Sequence, residues 1–118
     1  MIAAELRKEW VAALRSGRYK QGKGALHAVT STGERVYCPW GVACEIAMEY
    51  LPLLRKEEEV QIATGISVKG YSYDGFSGYP PNSVVHLFGF LSAGTIISGN
   101  DLDDWSFERT AQVIESER

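Results

Sequence analysis

Apolar residues recur at helical spacing near both ends of the chain. The first such stretch covers residues 2–15 and is followed by Gly17, which favours the end of a helix. The second begins after Ser106, a candidate N-cap, and repeats apolar residues every three to four positions, at Phe107, Ala111 and Ile114. The pattern therefore predicts a helix at each terminus.

Between these helices the periodicity changes to alternation. Residues 25–30 and 34–38 alternate apolar and polar side chains around Gly33, which predicts a β-hairpin with glycine in the turn. Pro39 suits the first turn of a second helix, because its missing N–H would have no helical partner there. We expect that helix to run until Pro52 ends it.

The second half of the chain predicts shorter elements. A charged run at 55–59 leads into two β-patterned segments, 60–64 and 66–73, around Gly65, and a turn follows at Asp74-Gly75. Pro80-Pro81 predicts the opening of a short helix that is closed by Gly89, and residues 94–98 are interpreted as an edge strand or an extended connection.

These elements predict one α+β domain over residues 1–118. Its N- and C-terminal helices, with one or two short helices, would pack on a small antiparallel sheet. A chain of 118 residues has the usual length of a single domain, and no internal repeat divides it.

Composition argues against a membrane or exported protein. No apolar run approaches the roughly 20 residues that a membrane span requires. Charges occupy the N-terminus, where a signal peptide needs an apolar core, so we expect a cytoplasmic protein with no membrane partner. In that compartment Cys38 and Cys44 are expected to be buried thiols rather than a disulfide.

Charge is distributed unevenly along the chain. Residues 1–24 carry a net charge of +4, whereas the remaining 94 residues carry −7. The glycine-rich segment 16–24 is interpreted either as a solvated loop or as an anion site. The anion-site hypothesis rests on four cations and one tyrosine in or just before this segment. These residues are Arg15, Arg18, Tyr19, Lys20 and Lys23.

The sequence supports none of three common cofactor or metal sites: a phosphate loop, a zinc site and a calcium loop. Gly17 to Lys23 has the letters of a phosphate loop, but here a helix precedes it and a strand follows, and Gly24 replaces the required hydroxyl. The cysteines and histidines lack zinc spacing, and residues 100–104 lack the remaining ligands of a calcium loop. We predict no cofactor and no metal ligand, and expect the carboxylates of 100–104 to bind backbone N–H groups ahead of the last helix.

No catalytic residue is assigned. Cys38 would need a histidine base, and His27 across the hairpin or His86 is available in the sequence, but a buried unreactive thiol is the favoured interpretation. A different candidate is the aromatic, glycine-rich stretch 70–79, which suits recognition at low entropic cost. Its tyrosines could also stack nucleobases beside the basic segment; these are Tyr71, Tyr73 and Tyr79.

Several motifs in the same order resemble a known group of proteins. The first is Trp-x-x-Ala-Leu-Arg-Ser-Gly-x-Tyr-x-Gln at 10–21, followed by Cys-x-x-Gly-Val-x-Cys at 38–44. Two later pairs, Asn100-Asp101 and Ser106-Phe107, agree as well. The chain thereby resembles small uncharacterised proteins of actinobacterial phages and prophages, which implies a phage origin and a location in the host cytoplasm.

Three hypotheses of function follow. The first is a non-enzymatic phage accessory protein that binds a host macromolecule, for host takeover or counter-defence, with a host protein as partner. The second is binding of a nucleotide or nucleic acid through the basic segment 16–24. The third is an enzyme that uses Cys38.

Overall fold

A computed structural model describes residues 3–63 and 66–116, with the backbone alone over 61–63 and 66–68. In chain order the elements are α1 (Ala3–Arg15), β1 (Lys20–Gln21), β2 (His27–Val29), β3 (Arg35–Tyr37), α2 (Pro39–Ala47), β4 (Lys56–Ala63), β5 (Ile66–Tyr73), α3 (Asn82–Leu87), α4 (Gly94–Asp101) and α5 (Phe107–Ser116). Two predicted positions lie outside the described residues: Ile2, predicted within the first helix, and Gly65, predicted between the two β-patterned segments.

The five strands form one sheet in the order β1-β3-β2-β5-β4. The β2–β3 hairpin, the β4–β5 hairpin and the β2–β5 pair are antiparallel, which confirms the α+β class. The sheet is nevertheless mixed, because β1 pairs with β3 in parallel. Two residues are too few to produce an alternating pattern, so the sequence did not predict β1.

Several predicted boundaries are confirmed. Gly33 has a φ of 84° in the turn between β2 and β3, a conformation that glycine adopts without steric cost. The helix α2 starts at Pro39, α3 follows Pro81, and the Ser106 hydroxyl accepts the Arg109 backbone N–H at 3.1 Å, as an N-cap does. Strand β4 begins earlier than expected, at Lys56, and so includes most of the charged run.

Two predictions about secondary structure were wrong. Residues Gly94–Asp101 form helix α4, not a strand or an extended connection. Their β-branched residues favour strands locally, but Ile96 is buried in the core and that packing decides the structure. Helix α2 ends at Ala47, five residues before Pro52, because the chain then tightens into turns in which Tyr50 N–H donates to the Ala47 carbonyl.

The core surrounds α2, which contacts α1, α3 and α4. The ring centroids of Trp10 and Trp40 lie 4.6 Å apart, and Phe88 adjoins Trp10 at 5.0 Å. Both indole N–H groups are satisfied, by the carbonyls of Pro39 and Ala93. The buried tryptophans therefore anchor the helices and are not exposed to a partner.

Candidate functional site

An aromatic ladder crosses three neighbouring strands. His27 lies opposite Tyr37 on β3 and opposite Tyr71 on β5, and directly opposite residues share one face of a sheet. Their rings stack on the imidazole, with centroids 4.1 Å and 4.4 Å away. Tyr19, just before β1, meets Tyr37 edge-on at 5.0 Å. These four residues are called the aromatic ladder below.

Cations flank the ladder at both ends. Arg18 lies over the Tyr19 ring at 5.8 Å, while Lys56 and Arg35 lie over the Tyr71 ring at 4.9 Å and 5.2 Å. The structure therefore places Tyr19 and Tyr71, two of the residues proposed from the sequence for binding, at opposite ends of the ladder, with Arg18, a third, beside Tyr19. No local pattern relates these two segments, and in the described fold they are connected only indirectly, through the rings of Tyr37 and His27.

A buried polar chain lies next to the ladder. The Tyr73 hydroxyl donates to Glu45 Oε2 at 2.5 Å, and Lys56 Nζ pairs with the same oxygen at 2.8 Å. His27 Nδ1 lies 3.2 Å from the Tyr73 hydroxyl oxygen. Because that hydroxyl gives its proton to the carboxylate, we assign the Nδ1–H tautomer to His27. Its Nε2 lone pair is buried and has no partner among the described atoms.

Burial sets the protonation states of His27 and Tyr73 near neutral pH. Burial and, to a smaller extent, the nearby Lys56 cation lower the pKa of His27 to about 4. Burial and the hydrogen bond to Glu45 raise the pKa of Tyr73. Both side chains are fully buried, so they meet no dissolved substrate. Tyr73, proposed from the sequence as a stacking residue, instead ties β5 to α2.

Glu45 connects this buried chain with a surface cleft of about 530 Å³. The cleft lies between α1 and the end of α2, and three carboxylates line it, from Glu9, Glu45 and Glu49. Arg18 and Tyr19 form its opposite side. With three acids against one cation, the cleft does not favour a phosphate ligand.

Most cations of the basic segment are paired with carboxylates. Arg15 binds both Glu108 and Glu115 of α5, at 2.7 Å and 2.9 Å. Lys20 pairs with Glu34 at 2.9 Å, and Lys23 pairs with Asp104. Arg18 is the cation of residues 16–24 for which the described structure shows no carboxylate partner.

A polar cluster that the sequence did not reveal holds the basic segment against the C-terminal half. The Gln21 amide donates to the buried Asn100 at 2.6 Å, and its oxygen accepts the Phe107 backbone N–H at 3.1 Å. Asp101 accepts the Gly24 backbone N–H at 3.1 Å, a long-range bond rather than the local one expected ahead of the last helix. Local sequence carries no signal for pairs about 80 positions apart.

The cysteines are free and buried, as expected. Burial raises the pKa of Cys38 to about 12 and also raises that of Cys44. Since the thiolate is the nucleophile, both thiols are inert at neutral pH. His86, one of the two candidate bases, lies exposed on α3.

Exposed apolar side chains gather on loops at one end of the sheet. Four of the seven large apolar side chains exposed in the described structure belong to this set, Leu53, Phe76, Tyr79 and Leu102, and their exposures range from 49% to 88%. We call these four residues the loop-end patch. It includes Tyr79, the remaining candidate from the sequence.

Backbone contacts join the loops that carry this patch. The Arg55 and Asp74 segments exchange two hydrogen bonds, at 2.7 Å and 2.8 Å, which places the Leu53 loop beside the Phe76 loop. The Leu26 N–H donates to the Ser77 carbonyl at 2.7 Å, and Asp101 holds the neighbouring Gly24. These bonds connect the 52–55, 74–79 and 101–104 loops through residues 24–26.

Fold and site together define a small α+β domain with exposed apolar side chains on its loops. The chain belongs to the family described as a domain of unknown function, DUF8296, whose model matches residues 2–118. No curated protein and no solved structure matches the chain.

Within residues 3–63 and 66–116, no group of three or more histidine, cysteine, aspartate or glutamate side chains is placed to hold a metal ion. In the same ranges, no helix has the length and apolar character needed to cross a membrane.

Proposed function

We propose that this protein is a non-enzymatic binding protein whose loop-end patch captures a protein partner. The observation that carries the proposal is the gathering of Leu53, Phe76, Tyr79 and Leu102 on hydrogen-bonded loops. Exposed apolar surface rimmed by polar residues is a common mark of a protein–protein interface. Tyr79 and Phe76 are also aromatic, a side-chain type that is enriched at protein interfaces.

The resemblance to phage proteins makes a host protein the partner, in host takeover or counter-defence. Two further observations support binding over catalysis. The thiols of Cys38 and Cys44 are protonated at neutral pH, and the His27 imidazole is enclosed between two tyrosine rings.

The alternative function, binding of a nucleotide or nucleic acid by the segment 16–24, depends on Arg18 and Tyr19. Both side chains line the acidic cleft, and Arg18 is available because no carboxylate pairs with it in the described structure. Against this function, ion pairs already neutralise Arg15, Lys20 and Lys23. A single substitution, Arg18→Glu, tests it without disturbing these pairs.

A pull-down from nuclease-treated host lysate tests the proposal. Wild type is compared with a Phe76→Ser/Tyr79→Ser variant, and with Leu91→Ser as the matched control, since Leu91 is 98% exposed on the connection between α3 and α4. We expect one stoichiometric protein that is retained by wild type, the control and Arg18→Glu, and lost by the patch variant.

Two results would overturn the proposal. One is a partner that the patch variant retains. The other is recovery of nucleic acid or nucleotide alone without nuclease treatment, with loss in Arg18→Glu, which would establish the alternative. Circular dichroism checks that each variant is folded, and all four substituted side chains are partly or fully exposed.

A further inference from the structure

Strand β4 forms a long edge of the sheet. It spans eight residues and pairs with β5 along its whole length, from Lys56 opposite Tyr73 to Ala63 opposite Ile66. No other described strand lies beside it. About every second backbone N–H and C=O of β4 therefore points away from the sheet, as a template for another strand.

The opposite edge is closed. Strand β1 has only two residues, Lys20 and Gln21. The Gln21 side chain is bonded to Asn100 and Phe107, and the Lys20 side chain is bonded to Glu34. A partner strand adding to this sheet would therefore add at β4.

The hairpin of β4 and β5 also extends past the rest of the sheet. Strand β2 pairs with β5 only over residues 69–71, so residues 66–68 of β5 pair with β4 alone. Val60, opposite Lys69, has 73% of its surface exposed. Within the part of β4 whose burial is described, the exposed residues are Glu57, Glu58 and Val60.

Charge indicates the chemistry of the added strand. Three consecutive glutamates, residues 57–59, lie on β4. Glu57 pairs with Arg55 at 3.0 Å and Glu58 pairs with Lys69 at 3.1 Å, and each of these side chains is at least half exposed. Such surface pairs contribute only about 0–1 kcal/mol, so they exchange easily for a partner's cation.

The same glutamates disfavour self-pairing. Two copies joined through β4 in parallel, or antiparallel about Glu58, would place glutamates directly opposite glutamates, and like charges directly opposite one another are destabilising. A lysine- or arginine-bearing segment faces no such repulsion. The occupant that fits this edge is therefore a different chain with basic side chains.

We propose that β4 accepts an extended, basic segment of a partner protein as a sixth, hydrogen-bonded strand of the sheet. Backbone hydrogen bonds supply the affinity of such an addition, and the alternating side chains supply its specificity. The inference rests on the proposed function, because it names the chemistry of the protein partner. Leu53 lies three residues before the start of β4 at Lys56, so one partner can reach both surfaces.

The probe for this test is an eight-residue peptide that alternates lysine and valine. Two peptides serve as controls: one carries N-methyl groups on alternate backbone amides, and one has glutamate in place of lysine. We expect the lysine peptide to shift the amide resonances of residues 56–60 and to slow their hydrogen exchange. The N-methylated and glutamate peptides are expected to bind at least about tenfold more weakly, because one loses the strand hydrogen bonds and the other the charge match.

Charge reversal in the protein completes the test. The Glu57→Lys/Glu58→Lys variant is expected to bind the lysine peptide at least about tenfold more weakly and to prefer the glutamate peptide. The control Glu5→Lys/Glu49→Lys changes the net charge equally at two exposed positions outside β4 and should bind as wild type does. Circular dichroism verifies that both variants fold.

Three outcomes would overturn strand addition: equal binding of the N-methylated peptide, shifts confined to residues outside β4, or dimers of wild type that β4 itself mediates. The proposed function is judged separately, by the loss of the lysate partner in Phe76→Ser/Tyr79→Ser. If the lysine peptide does not bind β4 but Phe76→Ser/Tyr79→Ser still loses the lysate partner, the partner uses the loop-end patch without adding a strand.

Discussion

Tyr73 is the residue on which the buried polar chain depends. Its hydroxyl donates to Glu45 and accepts from the fully buried His27, while Glu45 also pairs with Lys56. Loss of the hydroxyl leaves the His27 Nδ1–H buried without a hydrogen bond, which costs more than the bond itself contributes.

We predict that Tyr73→Phe lowers the free energy of unfolding by about 1–3 kcal/mol, because His27 Nδ1 and Glu45 each lose a buried partner. Urea denaturation followed by fluorescence measures the change. The matched control is Tyr79→Phe, at an exposed tyrosine for which the described structure shows no hydrogen bond, and it should lie within about 0.5 kcal/mol of wild type.

His27 predicts a dependence of stability on pH. Its pKa is about 4 in the folded protein and about 6.5 when unfolded, so the unfolded chain binds the proton more readily. The contribution of His27 to stability is therefore full above pH 6.5 and is lost as the pH falls towards 4. We expect a loss of about 2–3 kcal/mol over this window, measured by urea denaturation at a series of pH values.

Two variants separate His27 from the other histidine. In His27→Gln the decline between pH 6.5 and 4 should flatten, whereas exposed His86→Gln should keep it. An unchanged slope in a folded His27→Gln protein would assign the pH dependence to carboxylates instead.

At the scale of elements, the close approach of α2 to β2 depends on Gly41. A Cβ at Gly41 would lie 1.7 Å from the backbone oxygen of Leu26, a position that no rotamer can relieve. Glycine thus lets the helix lie directly against the chain entering β2, with the Cys38 N–H bonded to the same carbonyl at 3.3 Å.

We predict that Gly41→Ala destabilises the fold by at least about 3 kcal/mol, since backbone has to move to admit the methyl group. Gly94→Ala is the control within another helix, where the nearest atom to an added Cβ is the Ser92 hydroxyl at an ordinary 3.5 Å. Thermal melting of both variants measures the difference, and equal melting temperatures would contradict this account of α2 packing.

Elements with a strong local pattern were predictable, and those decided by distant contacts were not. The terminal helices and the β2–β3 hairpin have periodic side chains, helix breakers or turn residues that specify them locally. Helix α4 was missed because burial of Ile96 overrides the strand preference of its neighbours. Strand β1 was missed because two residues have no period.

At the scale of the whole molecule, folding brings the basic N-terminal segment into contact with acidic residues from the rest of the chain. The basic N-terminal segment lies against acidic residues of the C-terminal half, through Arg15 with Glu108 and Glu115 and through Lys23 with Asp104. The charge block at 1–24 therefore acts largely within the molecule, and little of it remains to attract a polyanion.

We predict that binding of the captured protein partner depends only weakly on salt. The affinity should change by less than about tenfold between roughly 50 and 200 mM salt, because the apolar contacts of the loop-end patch release no counterions and exposed ion pairs on β4 contribute little. Phosphate contacts from four cations would instead reduce it about a hundredfold over the same range. Isothermal titration calorimetry at both salt concentrations distinguishes apolar contacts from phosphate contacts. The Arg18→Glu variant should reduce the salt dependence of binding only if phosphate contacts are made.

The sequence by itself determined the α+β class, most element boundaries and the burial of both cysteines, because local periodicity, turn residues and helix breakers act between near neighbours. It also proposed Arg18, Tyr19 and Tyr71, but not that Tyr19 and Tyr71 lie at the two ends of one aromatic ladder. Only the tertiary structure decided that Tyr73 is buried, that Lys20 and Lys23 are paired and that Tyr79 joins an exposed patch. The physical reason is that burial, ion pairing and ring stacking depend on which distant residues folding brings within a few ångströms, and no local pattern encodes that.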